Sequence, residues 1–180
     1  MPAGGTGEAT RLGAGDQVRG GQTAAKYVVV VPVEGSPYIH GVLPKGDDKL
    51  LRGLVDGLPE PAPQGYYGVH PLFTKNKKWD IVRQLLSVKS VQCWVNEKGM
   101  YECCPNMGLL VNPQFRLGGA PHAWGNAVLV VPAKVLEVLK VKVDDMKEEC
   151  CGCGKELGKD FKEYDVLTRA CGACAEEEDE

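Results

Sequence analysis

The chain has 180 residues, 43% of them hydrophobic, and a formal charge of −3. That is enough apolar material for one domain of ordinary size with an appendage, built without disulfides. The terminal run Glu176 to Glu180 carries −5 of the charge, leaving +2 on the rest, which gives no support to the strongly basic surface that drives nonspecific nucleic-acid binding.

Residues 1–26 are rich in Gly, Ala and Thr, with Leu12 and Val18 as the sizeable aliphatics. Too little surface can be buried to offset the entropy of ordering, so a disordered arm is expected. The arm has no apolar run of signal-peptide type and no serine, and Glu8 and Asp16 accompany Arg11, Arg19 and Lys26, so neither export nor organelle import is expected. Pro2 excludes N-myristoylation. No stretch reaches the roughly 20 apolar residues of a membrane span. These features predict an intracellular protein, cytoplasmic or nuclear, with reduced thiols and no membrane partner. Gly13, Gly15 and Gly20 imitate a dinucleotide fingerprint but lack the strand before and the helix after that the motif requires.

From Tyr27 to Val33 a β-branched run predicts a buried strand, and Pro32 places its end at a sheet edge. Leu50, Leu51, Leu54, Val55 and Leu58 fall at helical spacing behind Asp47 or Asp48 as N-cap, with Gly57 and Pro59 as the stop. Pro59 to Gly68 reads as a loop. The segment through Phe73 and Trp79 is ambiguous and holds the basic cluster Lys75, Lys77, Lys78 and Arg83. Ser90 to Val95, the connection Asn96 to Gly99, and resumption at Met100 outline a hairpin. Asn126 to Val131 predicts a further strand ended by Pro132, and Ala133 to Lys147 mixes helical with strand spacing. No repeat of 20 to 50 residues is visible.

The C-terminus carries the clearest motif: Cys150-x2-Cys153, 17 intervening residues, then Cys171-x2-Cys174. This is the spacing of a four-cysteine zinc ribbon. Two thiolates three residues apart can face one cation across a tight turn, and two such turns complete a tetrahedron. Gly152, Gly154 and Gly172 supply backbone freedom at the turns. The segment is too small to build a core alone, so metal binding there is folding free energy. Four thiolates close the coordination sphere, which favours structural Zn2+ over a catalytic ion. Cys151 could replace Cys150 as ligand, but only with an unfavourable one-residue spacer. Between Met146 and Ala175 there are five basic and six acidic residues, so a protein-contacting ribbon is favoured over a nucleic-acid reader.

Elsewhere the bland readings prevail. Cys93, Cys103 and Cys104 could form a redox or second metal site, yet no fourth ligand is placed by spacing, and cysteine is common in reduced interiors. His40, His70 and His122 read as separate loop histidines, and Glu97 as a solvated turn residue. The Lys75 to Arg83 cluster with Trp79 and Phe73 could stack nucleic acid, but such a run is usually a solvated edge. No nucleophile elbow, HExxH motif or Walker loop is present.

Residues 27–135 contain Val31-Pro32-Val33-Glu34-Gly35, Leu54-Val55-Asp56-Gly57, Val95-Asn96-Glu97-Lys98-Gly99, Pro105-Asn106 and Gly125-Asn126-Ala127-Val128-Leu129-Val130. On these motifs the stretch resembles the DUF3846 family, a domain of unknown function found in viral and microbial genomes. It departs from that pattern in the Pro-rich segment after Gly57, in Cys103-Cys104 and in the appended ribbon. The resemblance implies a compact α+β fold and carries no activity across.

The resulting expectation is a disordered arm over 1–26, then an α+β domain over 27–143 with a small mixed or antiparallel sheet and one or two helices. A four-cysteine zinc ribbon over 146–175 and an acidic tail over 176–180 follow. Function reads as a noncatalytic binding or adaptor module with a protein partner. The alternatives are a nucleic-acid-associated factor using ribbon and basic cluster, or an enzyme whose polar residues converge only in space.

Overall fold

A computed structural model describes residues 25–44, 48–116, 122–150, 153, 155–156, 161–163 and 169–171. The expected acidic tail and residues 1–24 of the expected arm, like Cys151 and Cys174, lie outside them, whereas Lys26, expected in the arm, opens the first strand. The elements are β1 (Lys26–Val31), β2 (Tyr38–Val42), α1 (Asp48–Val55), β3 (Pro59–Ala62), β4 (Tyr67–Val69), α2 (Lys77–Leu86), β5 (Gln92–Asn96), α3 (Gly99–Glu102), β6 (Pro105–Val111), β7 (His122–Trp124), β8 (Ala127–Pro132) and α4 (Ala133–Val138). A 3-10 turn at Val143–Met146 and the strands β9 (Phe161–Glu163) and β10 (Arg169–Cys171) follow. Among the described residues no helix is long and apolar enough to cross a membrane.

Two sheets organise the α+β domain, with every strand pairing antiparallel. The larger runs β2-β1-β8-β5-β3 and the smaller β4-β6-β7. The four valines Val28 to Val31 form an unbroken apolar run because β1 is buried on both faces. Val29 and Val31 face a core shared with Trp79, Ile81, Val82 and Leu85 of α2 and with Leu109 and Ala123 of the smaller sheet. Val28 and Val30 face Leu51, Leu54 and Val55 of α1. The sheet is thus sandwiched between α1 on one side and α2 with the second sheet on the other.

Several expectations need correction. Pro32 does not mark an edge: β1 lies between β2 and β8, and the strand simply ends at Val31 before the residue that lacks a donor. The supposed loop after Pro59 contains β3, an edge strand of sequence Pro-Glu-Pro-Ala, and β4. The Leu58 carbonyl accepts from Glu97 N–H at 2.8 Å. By strand alternation Glu60 also faces β5, while Pro59 and Pro61 turn outward, where no N–H is needed. The hairpin expected around Asn96 to Gly99 is absent. β5 pairs with β3 and β8, the short helix α3 follows, and β6 joins the other sheet. His40 and His122 sit in strands β2 and β7 and not in loops.

Candidate functional site

Among the described residues, three asparagines are the buried polar side chains, and they gather at one end of the larger sheet. Asn96, Asn106 and Asn126 are 5%, 0% and 5% exposed. Asn96 ends β5, Asn106 opens β6, and Asn126 directly precedes β8. The antiparallel pairing of β8 with β1 and β5 brings the end of each neighbour beside the start of β8.

Each amide ties together backbone from distant segments. Asn96 Nδ2 donates to the carbonyls of Val55 and Asp56 at 3.3 and 2.8 Å, and its Oδ1 accepts from Lys98 N–H at 2.7 Å. Asn106 Nδ2 lies 3.1, 3.3 and 3.2 Å from the carbonyls of Val31, Pro32 and Gly125, and Oδ1 accepts from Gly108 N–H. Asn126 Oδ1 accepts from Val33 N–H at 2.9 Å, and Nδ2 donates to the Leu54 carbonyl at 3.3 Å. A buried amide left without partners costs about 1–3 kcal/mol, so a network of this kind fixes one backbone arrangement.

The segments so fixed wall a cleft of about 330 Å³ lined by Pro32, Val33, Glu34, Val55, Asp56, Glu102, Cys103, Cys104, Gly125 and Asn126. That volume lies at the lower end for small-ligand sites, about 300–1,000 Å³. Two glycines permit the close approach. A Cβ on Gly57 would lie 2.5 Å from Asn96 Nδ2. Gly125, at φ +80°, would place one 2.9 Å from Cys103 Sγ. Cys103 Sγ also receives a weak bond from Asn96 Nδ2 at 3.6 Å. Burial, then the negative charges of Asp56 and Glu102 and the neighbouring Cys104, hold the Cys103 thiol above its ordinary pKa. Cys103 therefore stays a neutral wall group at neutral pH and not a nucleophilic thiolate.

The remaining thiol of the domain, Cys93, lies at a separate cavity of about 20 Å³ beside Tyr66 and Tyr67, too small for more than a water-sized guest. Burial pushes its pKa up to about 12. His70 Nδ1 accepts from Leu72 N–H at 3.1 Å as the cap of a short 3-10 turn, and Glu97 is exposed.

The predicted ribbon is described in part. Glu149 bridges Glu156 antiparallel and Cys150 N–H donates to the Lys155 carbonyl at 2.8 Å, so the chain reverses around Cys150 and Cys153. Cys150 is buried and Cys153 exposed. β9 and β10 pair with Phe161 opposite Cys171, which places Cys171 at the end of an antiparallel ladder. Cys174 lies outside the described residues, and among the described residues no group of three or more His, Cys, Asp or Glu forms a metal site. A chain reversal at the first C-x2-C pair and a ladder leading into the second suit four thiolate donors.

The basic cluster is largely paired. Lys78 Nζ, with the side chain 11% exposed, bonds the Lys147 carbonyl at 2.7 Å and Glu149 Oε1 at 2.6 Å. Lys77 faces Asp145 at 3.6 Å and Arg83 faces Asp80 at 2.8 Å, while Lys75 is exposed. Through Lys78 the first turn of α2 fastens the segment that leads to Cys150.

The cleft was missed by motif reasoning because no chemistry-bearing signature marks it. The signal was present in Asn96, Asn106 and Asn126, amides at the ends of apolar strand patterns where burial demands partners. The motifs behind the family resemblance, from Val31 to Glu34, Leu54 to Gly57, Asn96, Asn106 and Gly125-Asn126, meet at this cleft. In comparisons with known proteins the chain matches no family model, no curated protein and no solved structure.

Proposed function

We propose that the protein is a noncatalytic binding module of DUF3846-like type, whose ligand enters the asparagine-framed cleft and whose C-terminal four-cysteine ribbon is folded by structural Zn2+. The observation that carries this reading is the commitment of three buried amides to backbone around one cavity. Buried polar groups contribute little net stability, and here they fix the walls of a recess. The cleft offers a pair of thiols and carboxylates at its rim, without a histidine or other paired base among its walls.

The zinc site would be held by Cys150, Cys153, Cys171 and Cys174. The chain reversal at Cys150, the ladder ending at Cys171 and the thiolate donor set support it, and the ion would supply folding energy and not chemistry. Ion pairing of Lys77, Lys78 and Arg83 favours a protein partner over nucleic acid.

The test is affinity purification from source cells of the wild-type chain and of Cys104→Trp, which fills the cleft from an exposed position. A partner retained by the first and lost by the second is the expected result. Equal recovery would move the function elsewhere, and turnover of a substrate by purified protein that Asn126→Asp abolishes would replace binding with catalysis.

A further inference from the structure

We propose that the cleft recognises a basic segment of a partner polypeptide, with one arginine or lysine side chain inserted and the adjoining peptide carbonyl held by Asn126. This rests on the binding reading above and specifies the chemistry of the partner.

Three observations converge. First, Glu34, Asp56 and Glu102 line the recess, and among the described residues none of the three faces a cation. Asp80, Asp145 and Glu149, by contrast, each pair with a cation of α2. All three are exposed at the rim, where their uncompensated charge makes a negative potential that draws a cation to the mouth of the cleft. The upward shift of the Cys103 thiol, to which Asp56 and Glu102 contribute, reports the same field inside the cleft.

Second, Asn126 is 5% exposed, lines the cleft and has one partner at each of its two polar atoms. Its amide carries two hydrogens and two carbonyl lone pairs. One hydrogen goes to the Leu54 carbonyl and one lone pair accepts from Val33 N–H. Among the described residues no partner takes its second hydrogen or its second lone pair. Asn106, by contrast, has three acceptors around its two amide hydrogens. A buried amide with a spare donor calls for an acceptor on the guest, which a peptide carbonyl supplies and a polyamine does not.

Third, the walls contributed by Pro32, Val33, Val55 and Gly125 are apolar, suited to an alkyl stem with its charged head at the carboxylates. The helix that carries Glu102 also exposes Met100 (58%) and Tyr101 (82%), apolar surface one and two residues from the cleft lining.

The experiment titrates the full-length protein with N-acetyl-arginine amide and follows the Asn126 side-chain amide by NMR. The neutral isostere N-acetyl-citrulline amide and the all-donor cation spermidine serve as comparisons. Saturable movement of the Asn126 amide is expected with the arginine probe. Weakening of at least about tenfold is expected with citrulline and in Asp56→Asn and Glu102→Gln. Asn suits the left-handed backbone at Asp56, φ +56°, and unchanged Val28 to Val31 resonances verify the fold.

No saturable shift at millimolar arginine probe would overturn the proposal. So would citrulline binding as tightly as arginine, a result that keeps the cleft as a binding site and removes only the cationic class. Spermidine moving the Asn126 amide as strongly as the arginine probe would replace the peptide by a free polyamine.

Discussion

Replacing Asn96, itself 5% exposed, with leucine removes two donated bonds and the acceptor of the Lys98 N–H. A loss of about 3 kcal/mol in chemical denaturation is expected. Gly57→Ala should approach the same loss indirectly, because its Cβ would displace the Asn96 amide. Gly108 is the second tight contact, since a Cβ there would lie 2.1 Å from the Trp79 ring. Trp79 packs edge-on against Phe73 at 5.0 Å, so the indole cannot retreat freely. Gly108→Ala is expected to cost about 1–3 kcal/mol and to shift the Trp79 indole resonance. Burial raises Cys93 from its ordinary value to about 12, so the native state holds its proton where the unfolded chain releases it. That stability is fully present below about pH 9 and declines as the pH climbs toward 12. Under native conditions at pH 8, iodoacetamide should therefore modify the exposed Cys104 well before Cys93, as read by peptide mass spectrometry.

At the scale of elements, what could be read from the sequence followed the strength of local periodicity. The valine run of β1, the leucines of α1 and the strand before Pro132 were plain, because burial on one or two faces writes a regular pattern. α3 was not, because four residues make barely one turn and carry no amphipathic period. β3 was hidden by its prolines, which an edge strand tolerates and a loop favours. The hairpin reading failed at Asn96 for a related reason. Asn-Glu-Lys-Gly has turn chemistry, but the turn leads into a helix and a change of sheet, and only tertiary packing decides that. The cleft was legible in fragments, as asparagines at strand ends, but their convergence is a property of sheet order. Lys78 read as part of a solvated basic run, whereas it fastens the chain leading to the first cysteine pair. Lys78→Ala should leave Glu149 unpaired and raise amide exchange at Cys150 about tenfold or more, with the Val28 to Val31 amides unchanged.

For the whole molecule, the division of stabilising forces is testable by removing metal. The α+β domain has its own two-sided core, while the residues between the two cysteine pairs have little apolar material of their own. On the zinc reading, Cys171→Ser or a strong chelator should abolish protection of β9 and β10 yet leave the core amides protected, and the wild type should carry about one zinc per chain by mass spectrometry.

The outward row of prolines on β3 limits the ways a second chain can approach. Lengthening a sheet by strand addition requires a neighbour to find alternating N–H and C=O groups along an open border. Pro59 and Pro61 withhold the N–H groups on that side. The opposite border, β2, is broken by a register shift between Val28 and Val29 where it joins β1. With both borders blunted and both faces covered, the larger sheet resists stacking into fibrils or recruiting a strand. The ends of its strands, where the asparagines stand, are the direction of approach that the architecture leaves open.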